Sequence, residues 1–163
     1  MKLMKLSYLD NPEYNEKPQL KLSDLEGRSA GLIALTGGVE GTVGRLLLEN
    51  RKDEAEDFLL RLKALFPDSL YVEIMRIGLE SEHKTEEDFI NLAYKHNLPL
   101  VATNEAFFLD ADMYEAHDAL VCIATGEYVA NENRKKFSPN NRLRSPEEMI
   151  ELFKDLPEAV NNT

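Results

Sequence analysis

The sequence has a single cysteine and no long apolar segment, and each of these features excludes a class of protein. Cys122 has no second cysteine to pair with, which excludes an internal disulfide and favours a reducing, cytoplasmic setting. No apolar run approaches the roughly 20 residues that a membrane-spanning helix requires. Residues 1–9 lack the continuous apolar stretch of a signal peptide. The sequence therefore predicts a soluble cytoplasmic protein without a membrane partner.

Basic residues are also scarce. Nineteen lysines and arginines stand against 30 acidic residues, which gives a net charge of −11. A chain this acidic is repelled by nucleic-acid phosphates unless its basic side chains gather on one face. The densest basic runs are 134–136 and the pair Arg142 and Arg144, and neither is long. We therefore expect little direct contact with nucleic acid.

Short apolar runs alternate with segments of helical periodicity. The runs 31–36, 70–75 and 98–103 are predicted as strands, and helices are predicted between and after them. This alternation is typical of βαβ units with a mostly parallel sheet. Three strands are few for a complete α/β barrel, and the chain stops within a helical pattern. The prediction is an α/β fragment of a larger chain.

Three helix starts are predicted from capping residues. Thr85 is a candidate cap for the helix between the second and third strands, and Asp112 with Glu115 is a candidate capping box. Ser145, followed by proline and by Glu148 three residues later, is the strongest of the three signals. Between the last two, the stretch 131–141 is irregular and polar.

Several phrases of the sequence are distinctive when they are taken together and in order. They are 31–38 with Gly41 and Gly44, 66–68 before 71–74, 99–105, 115–118, and 145–163. This set resembles the amino-terminal region of the bacterial DNA polymerase III alpha subunit, and within it the later half of the polymerase and histidinol phosphatase (PHP) domain. The resemblance covers the chain from about Leu3 to Thr163.

The resemblance implies a partial, distorted α/β barrel with mostly parallel strands and with helices outside. Residues 1–130 would be the C-terminal part of the PHP-like domain. Residues 131–163 would be a polar connector with helices that lead towards the polymerase core. Some members of the family hold a metal cluster and have phosphoesterase or proofreading activity, whereas others have lost the ligands and serve as a platform.

A metal-dependent phosphoesterase needs several histidines and carboxylates that converge on its cations. In metal-binding members of the family, an aspartate, any residue and a histidine follow Thr-Asn; here that place holds Glu105, Ala106 and Phe107. The resemblance also places Gly38 where such members can carry a cysteine, and Ile77 where they carry a histidine. We expect no catalytic residue and no bound metal, with Glu73 and Glu105 as remnant ligand positions.

Each of these residues has a structural alternative. Glu73 is either a remnant ligand or the partner of Arg76 or another base, and the same choice applies to Glu105. Asn104 either caps its loop by bonding neighbouring backbone groups or takes part in chemistry. His117 has a capping, packing or interface role, or else binds metal. His83, placed in a polar loop, and His96, near a helix end, are predicted as surface residues.

The glycines after the first predicted strand invite comparison with a phosphate-binding loop. Gly37 and Gly38 are followed by Gly41 and Gly44, a spacing that fits neither a Walker loop nor a dinucleotide fingerprint. A tight turn between a strand and a helix is the preferred interpretation, with Gly37 in a structural role.

The resemblance leads to a first functional hypothesis: a non-catalytic piece of a replicative DNA-directed DNA polymerase. It would brace the remainder of the alpha subunit and dock the proofreading exonuclease subunit. Phe107 and Phe108 would fill the former metal cavity. The fragment would need no cofactor, although the parent polymerase would use magnesium. Two copies could pair through exposed sheet edges.

Two alternatives stay open at this point. One is a residual metal-dependent phosphoesterase or proofreading activity, completed by ligands from the missing amino-terminal half. The other is a freestanding acidic α/β interaction module.

Overall fold

The computed structural model describes residues 2–9 and 20–163. In the described part, three strands form one parallel sheet in the order β1-β2-β3. They are β1 (Ala34–Leu35), β2 (Leu70–Met75) and β3 (Leu100–Thr103). Ala34 pairs with Leu70, and Val72 pairs with Leu100. The α/β class and the parallel strands are confirmed, whereas the barrel stays a prediction.

Seven α-helices are found among the described residues. They are α1 (Lys2–Leu9), α2 (Thr42–Leu48), α3 (Lys52–Leu65), α4 (Glu80–Lys95), α5 (Tyr114–Thr125), α6 (Pro146–Leu152) and α7 (Pro157–Asn161). None of them is long and apolar enough to cross a membrane. Helices α2 and α3 connect β1 to β2, and α4 connects β2 to β3, as expected of parallel strands that need crossover connections.

One hydrophobic core joins the sheet to the helices. Val72 and Leu100 come from the strands, and Leu59 and Phe89 come from α3 and α4. Phe153, which follows α6, is fully buried in the same core, together with Leu156 and Ala159. The C-terminal helices therefore pack onto the sheet. The predicted division of the chain near residue 130 stays a prediction.

The first predicted strand is shorter than expected. The run 31–36 was predicted as a buried strand, but only Ala34 and Leu35 pair, and Ile33 is 73% exposed. Strand β1 lies at the edge of the described sheet and has β2 as its one neighbour there. Strand β1 is therefore covered by a neighbouring strand on only one of its two edges.

Two predicted helix caps are wrong. Thr85 lies within α4 and is buried; the helix begins at Glu80, and its start is held by Glu82, whose Oε2 accepts hydrogen bonds from the Gly78 and Leu79 amides. A carboxylate in the first turn can satisfy these amides without a serine or threonine cap. His83 consequently lies on α4, not in a loop.

The capping box predicted at Asp112 and Glu115 is replaced by a 3-10 turn, Ala111–Met113, that leads into α5 without a side-chain cap. The box at Ser145 is confirmed. Ser145 Oγ accepts from the Glu148 amide at 3.2 Å, and Glu148 Oε2 accepts from the Ser145 amide at 2.9 Å.

Candidate functional site at the carboxyl ends of the strands

The carboxyl ends of the parallel strands lead to one cleft. Ligands of open α/β sheets commonly bind at this edge because the connecting loops meet there. The cleft has a volume of about 470 Å³, and both acidic and basic side chains line it. Its lining residues are Glu40, Ile77, Leu79, Glu105, Phe107, Lys135, Lys136, Phe137, Ser138 and Asn141.

Three of the predicted ligand positions line this cleft: Ile77, Glu105 and Phe107. Ile77 is buried, and its side chain carries no donor atom for a metal. Its carbonyl oxygen accepts hydrogen bonds from Ser138 Oγ at 2.6 Å and from Asn140 Nδ2 at 3.1 Å. The Glu105 side chain is exposed. At these positions, the cleft is therefore lined by a packed apolar side chain, Ile77, and by a solvated charge, Glu105.

Phe107 belongs to an aromatic cluster around His117. The Phe107 ring stacks on the imidazole with centroids 5.6 Å apart and lies 4.5 Å from the Phe137 ring. Phe108 and Phe137 lie 5.2 Å and 5.3 Å from the imidazole centroid. His117 Nδ1 is buried and has no hydrogen-bond partner among the described residues. The imidazole of His117 is thus surrounded by three phenylalanine rings.

The other two predicted positions, Gly38 and Glu73, line a separate, water-sized cavity of about 10 Å³. Glu73 Oε1 accepts a hydrogen bond from Thr103 Oγ1 at 2.7 Å. The predicted pairing of Glu73 with Arg76 is wrong, because Arg76 binds Glu86 and Asp155.

Glu82 lines the same cavity and is 5% exposed. Burial raises the pKa of its carboxyl group, although hydrogen bonds from the Leu79, Ile77 and Gly78 backbone act in the opposite direction. Glu82 Oε1 has no hydrogen-bond partner in the described part of the chain. No signal in the sequence marks a buried acid here, since Glu82 stands among other polar residues.

The glycine turn after β1 is a close approach of backbone segments. Gly37 and Gly38 adopt φ angles of 81° and 52°. A Cβ atom at Gly41 would lie 2.0 Å from the Thr36 carbonyl oxygen, and one at Gly44 would lie 2.4 Å from the Gly38 carbonyl oxygen. Glycine is needed at these positions on steric grounds. The spacing of the four glycines is thereby explained without a phosphate.

One segment, residues 137–144, lies across the ends of β2 and β3. The sequence did not reveal this placement. Asn141 is 1% exposed, and its Nδ2 donates to the Glu105 carbonyl oxygen at 2.9 Å. The Phe107 amide donates to the Asn141 carbonyl oxygen at 2.9 Å, and the Leu143 amide donates to the Phe108 carbonyl oxygen at 2.8 Å. We call this segment the strap.

Asn104 contacts the strap. Its Nδ2 donates to the Arg142 carbonyl oxygen at 2.7 Å, and its Oδ1 accepts from Arg144 Nε at 3.2 Å. The predicted bonds to neighbouring backbone groups are therefore wrong in their partners, which lie about 40 residues further along the chain. In the sequence, the strap is recognisable only as a polar segment, and polarity does not show which residues a segment forms hydrogen bonds with.

These residues do not fit the metal cluster that some members of the family hold. Ile77 and Phe107 offer no ligand atom, and Glu73 and Glu105 line different cavities. Within residues 2–9 and 20–163, no group of three histidine, cysteine, aspartate or glutamate residues is placed to hold a metal ion. These residues therefore give no support to a metal-dependent reaction step.

Comparison with known proteins finds one matching family and several similar proteins. Residues 1–77 match the family described as the PHP domain. A DNA polymerase III subunit alpha from Caulobacter vibrioides is 40% identical over 161 residues, which cover 99% of this chain and 14% of that protein. The corresponding proteins of Rickettsia bellii and Borreliella burgdorferi are 41% and 36% identical over 99% and 100% of this chain, and 14% of their own lengths. The chain is a relative of bacterial DNA polymerase III alpha subunits.

The resemblance inferred from the sequence phrases is thereby confirmed over nearly the whole chain. The chain spans 14% of the length of these polymerase subunits. The match to the PHP domain ends at residue 77, directly after β2. The similarity to the polymerase subunits continues through the strap and the C-terminal helices.

Proposed function

We propose that this chain serves in DNA replication as a non-catalytic, structural and protein-docking part of a cytoplasmic DNA-directed DNA polymerase. Its PHP-like site is degenerate, and its partners are the remainder of an alpha subunit and a proofreading exonuclease subunit. The fragment itself takes no metal, whereas the polymerase to which it would belong uses magnesium. Direct contact with nucleic acid is minor because the chain is strongly acidic.

One observation carries the degenerate site. Phe107, which stands where metal-binding members have a histidine, packs against His117 and Phe137. Among the described residues, no carboxylate or carbonyl is hydrogen-bonded to Nδ1 of this imidazole, whereas a metal-ligating histidine is almost always oriented by such a bond. Phe108, buried beside His117, adds to the filling of this region, while Phe107 is 43% exposed at its border.

The strap supports the structural role. It is hydrogen-bonded to the segments that follow β2 and β3, so it holds two strand ends in one arrangement. The buried side chains that follow α6 then anchor the C-terminal helices to the sheet. A platform for neighbouring domains needs this kind of rigidity, whereas a phosphoesterase needs convergent ligands.

The test measures the metal content of the protein by native mass spectrometry after incubation with Zn²⁺ and Mn²⁺. Phosphodiester hydrolysis is measured on the same samples. We expect no stoichiometric metal and no hydrolysis. The variants Glu73→Gln and Glu105→Gln serve as controls and should leave both results unchanged. Stoichiometric metal that is lost in either variant, accompanied by hydrolysis, would refute the proposal in favour of a residual phosphoesterase.

A further inference from the structure

Helix α5 exposes an apolar face. Met113 immediately precedes the helix, and Leu120 and Ile123 follow at helical spacing on one side; Leu120 is 63% exposed and Ile123 is 78% exposed. Tyr128 and Val129, just beyond the helix, are also exposed. We call these five residues the α5 face. Large exposed apolar surfaces on folded proteins mark interaction sites.

The opposite side of α5 is already occupied. Cys122 is buried, and Asp118 pairs with the buried guanidinium of Arg134. This ion pair lowers the pKa of the Asp118 carboxyl group, because Arg134 donates hydrogen bonds to it. One side of α5 packs against the rest of the described chain, and the other side is apolar and exposed. This pattern is typical of a helix that is buried on both sides.

Acidic residues border the α5 face. Asp110 and Asp112 precede it, and Glu127 follows α5. All three are exposed, and none forms a salt bridge with a residue in the described part of the chain. A second copy of this chain would bring the same negative border and a further net charge of −11 to the contact. Like charges oppose such a pairing, whereas a basic border would favour it.

We infer that the α5 face binds an apolar surface bordered by lysine or arginine on the same longer polypeptide, outside the residues described here. The inference rests on the proposed function and names the intramolecular partner. Relatives that match the whole chain carry most of their length outside the matched part, so polypeptide is present in them to cover this face.

The experiment places a photo-reactive benzoylphenylalanine at Ile123 in the full-length gene product that contains these residues. Cross-links are mapped by mass spectrometry in a mixture of ¹⁴N- and ¹⁵N-labelled protein. We expect single-isotope cross-links from Ile123 to residues outside this chain. A matched probe at Asp57, exposed on α3, should yield few of them. Mixed-isotope cross-links, capture of another protein or the absence of cross-links would overturn the inference.

Charge variants test the border. In the Ile123-probe protein, Asp112→Lys combined with Glu127→Lys should reduce the cross-link yield several-fold. The control Glu87→Lys, exposed on α4, should leave the yield unchanged. Equal yields in both variants would contradict the basic border. The metal measurement does not depend on these results, so the proposed function and this inference can fail separately.

Discussion

The guanidinium carbon of Arg76 lies 4.7 Å from the centre of the Phe153 ring, so a charged group at the end of β2 covers a fully buried aromatic side chain. The same guanidinium forms two hydrogen bonds with Glu86, at 2.7 and 3.0 Å, and two with Asp155, both at 2.7 Å. It also donates to the Leu152 carbonyl oxygen. Arg76 thereby joins the sheet edge, α4 and the C-terminal helices.

Replacing Arg76 with leucine should destabilise the fold by about 2 kcal/mol, because Glu86 loses its partner and the cation–π contact is lost, while Asp155 stays solvated. Urea unfolding followed by circular dichroism measures the change. Arg51→Leu is the matched control, since Arg51 pairs with Glu49 and Glu54 at the surface. Exposed pairs contribute little to stability, so its midpoint should barely move. Equal losses in the two variants would contradict this assignment of Arg76.

Glu82 predicts a pH-dependent difference in stability. Burial raises the pKa of its carboxyl group in the folded state, so the folded chain holds this proton at pH values where the unfolded chain releases it. The wild-type protein therefore loses stability as pH rises from about 4.5 through the raised pKa. Glu82→Gln should escape this loss, and its stability relative to wild type should increase over that range.

The measurement for Glu82 is urea unfolding at a series of pH values from 4 to 8. Glu87→Gln, exposed on the same helix, corrects for a change in net charge. Glu73 and Glu86 line the same cavity as Glu82, and Arg76 and His83 are close to these residues in the sequence. All four are unchanged in both variants. A difference between wild type and Glu82→Gln that does not vary with pH would contradict the raised pKa.

Gly38, where the resemblance places a cysteine in metal-binding members, tests whether this position has room for a side chain. A Cβ atom at Gly38 would lie 2.4 Å from Met75 Cε, and its φ angle is 52°. Gly31 has a φ angle of 76° and open space around it. Gly31→Ala should cost about 1 kcal/mol for the backbone conformation alone. Gly38→Ala should cost somewhat more than Gly31→Ala, because the Met75 methyl group, the flexible end of its side chain, must also move away from the new Cβ atom.

The double variant Gly38→Ala with Met75→Ala separates the two contributions. If the Met75 methyl group is the obstacle, the double variant should lose less stability than the sum of the single variants. Additive losses would show that the overlap is relieved elsewhere. A cysteine at Gly38 would meet the same methyl group as an alanine, so a ligand at this position requires the Met75 side chain to move.

Local signals in the sequence predicted the elements that depend on local chemistry. The bounds of β2 and the capping box at Ser145 follow from residues that are neighbours in the chain. Contacts between distant residues were not predictable in this way: Asn141 bonds Glu105, and Arg76 bonds Asp155, 79 residues further on. The candidate ligand positions were located by the resemblance, but their separation into two cavities depends on the packing of α4 and the strap.

Restoring one ligand should not restore a metal site. In Phe107→His, the new imidazole would lie next to His117, whose Nδ1 is buried among phenylalanine rings. Zinc takes three or four ligands in proteins. The Ile77 side chain has none to add, and the Glu105 side chain, which lines the same cleft, is exposed to solvent. We expect no stoichiometric Zn²⁺ binding by isothermal titration calorimetry, with Phe107→Leu as the baseline. Tight, stoichiometric binding would mean that the surrounding residues still form a metal site and that one side chain had closed it.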